Sequence, residues 1–231
     1  MNTLWTRRIG AAMGAVYVVI GLLRGEGEPS PGFHASRGAI VNWMHTSGGI
    51  TSSKYATAFL ELLALLCLLV FFAYLSDILR QTEGASGYLP ATVLGAGTLA
   101  VALKIASFPA YVVAHVWAKD GVDPRVIGML LDMGDVAMAL TLAAMGLALA
   151  AVAVATIPTV ALPRWLGWGA AITSVALFVN VAIAYRTPDN APAVFLFLLW
   201  TLVTSIVLVR RAGQVPVSES TATTRDAVLA G

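Results

Sequence analysis

Five ionisable residues lie inside long apolar stretches of this sequence: Glu61, Lys104, His115, Asp132 and Asp135. A charged group at the centre of a membrane span costs about 2.5–3.5 kcal/mol, so such groups turn toward a bundle interior and pair there. Lys104 and His115 fall on one face of a helix, and Asp132 and Asp135 are spaced to share another. The pattern predicts a polar pocket built from these five side chains.

Two uses of this pocket are open. Three carboxylates around one lysine leave a deficit of positive charge, which a proton or a cation would balance in a medium of low dielectric. That chemistry suits a small carrier or sensor for a proton, a cation or a small polar solute. Alternatively, Lys104 forms a structural salt bridge with Glu61 or with an aspartate and fixes helix packing.

The composition indicates that the apolar stretches around these charges lie in a membrane. Of 231 residues, 58% are hydrophobic and only 11% are charged, whereas a soluble domain carries about 25% charged residues. A chain with so few charged residues cannot cover its surface with groups that water solvates, so we expect a lipid bilayer around it. The basic residues are scattered and form no stripe with aromatic residues, which excludes the usual footprint of nucleic-acid binding.

Apolar runs bounded by turn and cap signals predict an all-α bundle of about six transmembrane helices. The first run has arginines at both ends and no small-x-small cleavage site, so a retained helix is predicted rather than a cleaved signal peptide. The predicted spans are 9–23, 54–80, 90–117, 124–157, 163–186 and 191–211.

The segment 25–53 is the longest polar interruption between spans. Within it, residues 35–45 are predicted to form a short helix whose apolar face, with Ile40, Trp43 and Met44, lies at the membrane interface. The transmembrane domain is predicted to cover residues 1–211. The polar tail 212–231 is predicted to be a disordered cytoplasmic segment.

Arginine pairs at the first and last spans predict the orientation. Arg7 and Arg8 precede the first span, and Arg210 and Arg211 end the last. Positive charge favours the cytoplasmic side, so both termini are expected in the cytoplasm of a cell with this chain in its plasma membrane. The pocket then lies in the outer half of the second to fourth spans.

No motif for catalysis or cofactor binding stands out. The sequence has no nucleotide-binding glycine loop, zinc-protease histidine pair or nucleophile elbow. Its single cysteine, Cys67, predicts a buried apolar side chain, and His34 and His45 lack zinc-ligand spacing. We therefore expect no enzyme, metal or cofactor.

The first interpretation is a non-catalytic membrane scaffold or accessory protein, as a homo-oligomer or with a membrane-protein partner, because six helices are few for a transporter. The carrier or sensor is the alternative.

The stretch Leu162–Trp168 reads Leu-Pro-Arg-Trp-Leu-Gly-Trp and opens the fifth span. Pro163 suits a first helical turn, and Arg164, Trp165 and Trp168 form a predicted interfacial anchor at headgroup level. This stretch resembles one in uncharacterised actinobacterial six-helix integral membrane proteins. The resemblance extends in layout to a short first helix, a long outer loop and Asp132 in the fourth helix. It implies six helices and a plasma-membrane location, and it implies no catalytic residue.

Overall fold

A computed structural model describes residues 3–23, 31–32, 35–83, 87–159, 162–183 and 191–212. Within these ranges there are seven helices and no strands. Their bounds are α1 Thr3–Leu23, α2 Arg37–Ser47, α3 Ser52–Glu83, α4 Tyr88–Trp117, α5 Pro124–Thr156, α6 Arg164–Ile183 and α7 Ala191–Ala212. All except α2 are long and apolar enough to cross a membrane. The predicted class, a polytopic bundle with a short helix in the first long loop, is confirmed.

Local sequence signals account for several helix starts. The Asp123 side chain caps α5 by accepting a hydrogen bond of 2.9 Å from the Arg125 amide, with Pro124 in the first turn. Ser36 caps α2 in the same way through the Ala39 amide, at 3.2 Å. Helix α1 begins well before the apolar run that predicted it. The predicted tail 212–231, apart from Ala212, lies outside the described residues.

The six long helices form a closed ring in which each packs on its neighbours along the chain. Contacts run from α1 to α3, then through α4, α5 and α6 to α7, and α7 returns to α1. Consecutive long helices run in opposite directions because each connection joins two of them at the same end of the bundle. The connections before α3 and α5 therefore share one end, here called the α2 end. The other end, where α1 begins and α7 finishes, is called the terminal end.

Side-chain hydrogen bonds join the helices around the ring. Hydroxyl and indole groups reach backbone carbonyls of neighbouring helices, which is a common means of joining helices in lipid. These bonds run from Ser76 to Pro90 (2.8 Å), from Ser174 to Gly146 (2.7 Å), from Trp200 to Leu166 (3.0 Å) and from Ser205 to Ala11.

Small residues let α1 approach α3 closely. A Cβ on Gly10 would lie 2.9 Å from the Tyr74 ring, and one on Gly14 would lie 2.8 Å from the Phe71 ring. The two glycines are four apart and share one helix face, the spacing that brings membrane helices into contact. Both aromatic rings therefore pack directly on the α1 backbone.

The two halves of the bundle differ in how they are filled. At the terminal end, the second half of α3 contributes Phe71, Phe72, Leu75 and Leu79, all fully buried. At the α2 end, the first half of α3 carries Glu61. Large apolar side chains such as Ile172 cover the outside of the ring, as expected for a surface that faces lipid.

Candidate functional site

An ion pair joins α3 to α4 in the half of the bundle nearest α2. The Lys104 ammonium lies 3.2 Å from a Glu61 carboxylate oxygen, and the two side chains are 19% and 18% exposed. Glu61 is roughly 14 Å along α3 from Ser52 and Lys104 roughly 20 Å along α4 from Trp117, at 1.5 Å per residue. The long lysine side chain spans the difference in depth. The structure thus brings together two of the five predicted pocket residues directly.

The pair forms part of the wall of a cavity of about 120 Å³ inside the ring. Helices α1, α3, α4, α5 and α7 all contribute to the cavity wall. Tyr17 and Thr141 add polar groups, but the Thr141 hydroxyl donates to the Ala137 carbonyl at 2.8 Å. The remaining wall is apolar, formed by Ile20, Gly21, Ala64, Leu65, Met138, Leu142, Met145, Val194, Phe197 and Leu198.

A second polar contact joins α4 to α5. The Tyr111 hydroxyl donates a hydrogen bond of 2.8 Å to the Asp135 carboxylate. Asp135 also interacts electrostatically with Lys104 and with Asp132, and Tyr111 interacts with Glu61. Polar groups from three helices therefore interact with one another. Of the residues in these contacts, only Glu61 and Lys104 line the cavity.

Asp132 and His115 stand apart from the ion pair. Asp132 is half-buried and has no hydrogen bond or ion pair to another described residue, so its link to the group is the longer-range interaction with Asp135. The Nδ1 atom of His115 lies 2.8 Å from the Tyr111 carbonyl oxygen of its own helix. The His115 ring meets the Trp43 ring edge to face, with centroids 4.8 Å apart.

Helix α2 covers the α2 end of α4 and α5. Ile40 and Trp43 are buried against this end, and Gly128 on α5 leaves room for Ile40. The Gly49 amide donates to the His115 carbonyl at 2.7 Å, which fastens the α2–α3 connection to α4. Lys54 donates to the Ser47 and Gly49 carbonyls and closes the end of α2. The apolar face of this helix was predicted to lie at the membrane interface, and in the structure Ile40 and Trp43 pack on the bundle instead.

An open crevice of about 530 Å³ lies beside α2. It is bounded by Val41, Met44 and His45 on one side and by the turn that joins α4 to α5, with Lys119, on the other. His34 lies outside the described residues. In the part of the chain that the structure describes, no three His, Cys, Asp or Glu side chains gather in a way that could hold a metal ion.

The interfacial anchor residues lie at the terminal end. Trp165 and Trp168 are 56% and 59% exposed in the first turns of α6, and Arg164 beside them is also exposed. Exposed indoles at a span end are typical of side chains that reach the headgroup region. Cys67 is buried, as its apolar surroundings predicted.

Sequence reasoning missed several residues that shape the site. Tyr17 reaches the cavity from α1, and Gly134 makes room for the Tyr111 ring, since a Cβ there would lie 2.6 Å from it. The signal for Tyr17 was a polar-tipped aromatic residue inside an otherwise apolar span. The signal for Gly134 was a glycine between two aspartates in a helix, where glycine is unfavourable without a packing reason.

Comparison of the chain with family models, with curated proteins and with solved structures gives no match in any of the three.

Proposed function

We propose that this membrane protein is a proton-coupled carrier for a small solute, with the ring cavity as its binding site. The observation that carries the proposal is that the Glu61–Lys104 pair borders open space inside the bundle. A pair that served only to lock helices would gain nothing from that space, because a cavity in a packed interior costs stability. Buried ionisable groups beside a cavity are instead typical of solute and proton pathways.

The carboxylates toward α2 add to this argument. Asp135 and Asp132 continue the line of acidic groups from the cavity toward the α2 end, and Asp135 is electrostatically linked to Lys104. Because Lys104 pairs with Glu61 and also interacts with Asp135, a change of charge at Glu61 alters the electrostatic environment of Asp135. Such a series of groups can accept and release protons as the solute binds and leaves.

Proton movement in reconstituted vesicles tests the proposal. With a pH-sensitive dye trapped inside, vesicles carrying the wild-type protein should dissipate an imposed pH difference faster than protein-free vesicles. Glu61→Gln and Asp132→Asn should slow this dissipation. Asp77→Asn is the matched control, because Asp77 is an exposed carboxylate of the same helix α3 outside the cavity. Without solute, this dissipation measures uncoupled movement of protons through the acidic groups. Wild-type vesicles that hold the pH difference as long as protein-free ones would therefore rule out a proton pathway through them.

A scaffold or accessory protein is the second candidate. It is favoured by the way polar contacts connect three consecutive helices, Glu61–Lys104 between α3 and α4 and Tyr111–Asp135 between α4 and α5. In that case the charges fix the packing of a surface that a second copy or another membrane protein contacts. Vesicles without proton movement, together with full recovery of stability in a charge-free double variant, would favour this candidate. Neither candidate includes a catalytic step.

For the location, we propose the plasma membrane with both termini in the cytoplasm. Exposed Arg7, Arg8, Arg210 and Arg211 support this orientation, as all four lie at the terminal end. A reporter enzyme fused after Gly231 should then be active only if it works in the cytoplasm. Activity of a reporter that works only outside the cell would reverse the orientation. Membership of the actinobacterial group that carries the Leu162–Trp168 stretch remains a prediction.

A further inference from the structure

We propose that the cavity binds a small primary ammonium ion with a short apolar chain, which replaces Lys104 at the Glu61 carboxylate. The inference rests on the proposed function, since it names the solute class of the same cavity. Four features of the described residues carry it: the size and lining of the cavity, the balance of charge around it, the aromatic rings in its wall, and a second carboxylate near Lys104, that of Asp135.

The size and lining favour a ligand that is mostly apolar. A cavity of about 150 Å³ lined by apolar side chains admits benzene, and this cavity measures about 120 Å³. A ligand of roughly five non-hydrogen atoms therefore fits. Its carbon chain would lie against side chains such as Leu65, Leu142 and Met145, and only one end would meet charge.

The charge around the cavity favours a cation. Among the described residues, Glu61 pairs with Lys104, Asp135 interacts with the same lysine electrostatically, and Asp132 interacts with Asp135. An anionic ligand would add a further negative charge to this group, at high cost where water is scarce. An ammonium ion adds the opposite charge and can donate hydrogen bonds to Glu61.

Aromatic rings in the wall favour the same class. Tyr17 and Phe197 both line the cavity and meet edge to face, with ring centroids 6.2 Å apart. A cation within about 6 Å of an aromatic ring is attracted to its face, and the attraction is stronger where water is excluded. A neutral ligand of equal size would gain the apolar contacts alone.

When Lys104 leaves Glu61, it still has a second carboxylate with which it interacts electrostatically, that of Asp135. The Tyr111 hydroxyl holds that carboxylate by a hydrogen bond of 2.8 Å. When the ligand ammonium takes over Glu61, Lys104 turns toward Asp135. Binding thereby changes the charge next to Asp135 and connects the cavity with the α2 end. No covalent bond changes, and the ligand enters with its own proton.

Binding of three probes with the same number of non-hydrogen atoms tests the ligand class. The probes are n-butylammonium, 1-butanol and propionate, each titrated into the purified full-length protein in nanodiscs by calorimetry. We expect n-butylammonium to bind about tenfold or more tightly than 1-butanol, and propionate not to bind. Glu61→Gln should remove the preference for the amine and leave binding of 1-butanol unchanged, and Asp77→Asn should preserve the preference.

A rescue experiment tests the exchange with Lys104 separately. In Lys104→Met the ligand no longer competes with the lysine, so n-butylammonium should raise the thermal unfolding midpoint of this variant more than that of the wild type. 1-Butanol should raise both equally. If Lys104→Met gives no folded protein, Lys104→Gln, which keeps a polar side chain, serves the same purpose.

Several results would overturn the inference. These are equal binding of 1-butanol, tighter binding of propionate, amine binding that survives Glu61→Gln, or no rescue of the Lys104 variants. If proton movement in vesicles persists with any of these results, the ligand class alone is wrong. If amine binding follows the expected pattern while vesicles show no proton movement, the binding site stands and the carrier proposal fails.

Discussion

The Tyr111 hydroxyl on α4 donates a hydrogen bond of 2.8 Å to the Asp135 carboxylate on α5. The ring can reach this position because Gly134 has no side chain. The tyrosine ring lies over the α5 backbone where a Cβ at Gly134 would be 2.6 Å away. A residue without a side chain therefore positions one of the acidic groups near the cavity. This connection between packing and charge leads to the first prediction.

Gly134→Ala should displace the Tyr111 ring and break its hydrogen bond with Asp135. Overpacking costs about 1–3 kcal/mol, which outweighs the gain of up to about 1 kcal/mol in helix propensity. The free energy of unfolding in detergent should fall, by roughly 1–2 kcal/mol. Gly95→Ala is the control, because no atom lies within 4 Å of a Cβ there, and it should be neutral or stabilising.

A double variant separates the steric cause from others. Tyr111→Leu removes the ring tip that meets the new methyl group. Gly134→Ala should therefore cost much less in the Tyr111→Leu background than in the wild type. Equal costs in both backgrounds would show that the Tyr111 ring is not what Gly134 accommodates.

Lys104→Met should destabilise the bundle because it leaves the half-buried Glu61 carboxylate without its contact at 3.2 Å. Removing one partner of a fully buried pair costs about 3–5 kcal/mol. Since the two side chains of this pair are nearly one-fifth exposed, we expect the free energy of unfolding to fall by roughly 1–3 kcal/mol. Folded yield and the unfolding midpoint measure the effect. Combining Lys104→Met with Glu61→Gln should recover most of the loss, and failure to recover would mean that the two side chains do not act as a pair.

Ser205→Ala should weaken the contact between α7 and α1. The Ser205 hydroxyl accepts from the Ala15 amide at 2.9 Å and donates to the Ala11 carbonyl, so its loss should cost about 1 kcal/mol. Thr204→Val is the matched control, because the buried Thr204 hydroxyl has no hydrogen-bond partner among the described residues. That variant should be neutral or stabilising. If Thr204→Val costs as much as Ser205→Ala, the ring is not closed through Ser205.

Trp43→Ala should loosen α2 from the α2 end of the bundle. Trp43 is only 6% exposed and packs against the His115 ring, so its removal takes away the main apolar contact of a short helix. Backbone amides of α2 should exchange with deuterium markedly faster, while those of α5 should change little. Trp117→Ala, which truncates a tryptophan that is 41% exposed nearby, should leave exchange in α2 unchanged.

The sequence was sufficient to determine the spans, their order and the depth of each ionisable group. Apolar runs have the length of a bilayer, and caps such as Asp123 and Thr51 lie where helices begin. The depth of Glu61 or Lys104 follows from counting along a helix of constant rise. These features depend on local geometry and on transfer between water and lipid, which each segment experiences separately.

Only the tertiary structure decided which groups meet. Lys104 has several carboxylates at similar depth, and helix rotation selects Glu61 as its partner. The apolar face of α2 suits lipid as well as protein, and packing on α5 decides between them. The cavity arises because side chains from five helices do not fill the centre of the ring at that level. Periodicity gives the direction of a side chain relative to its own helix, but contacts depend on the rotation and closure of the whole ring, which no single segment specifies.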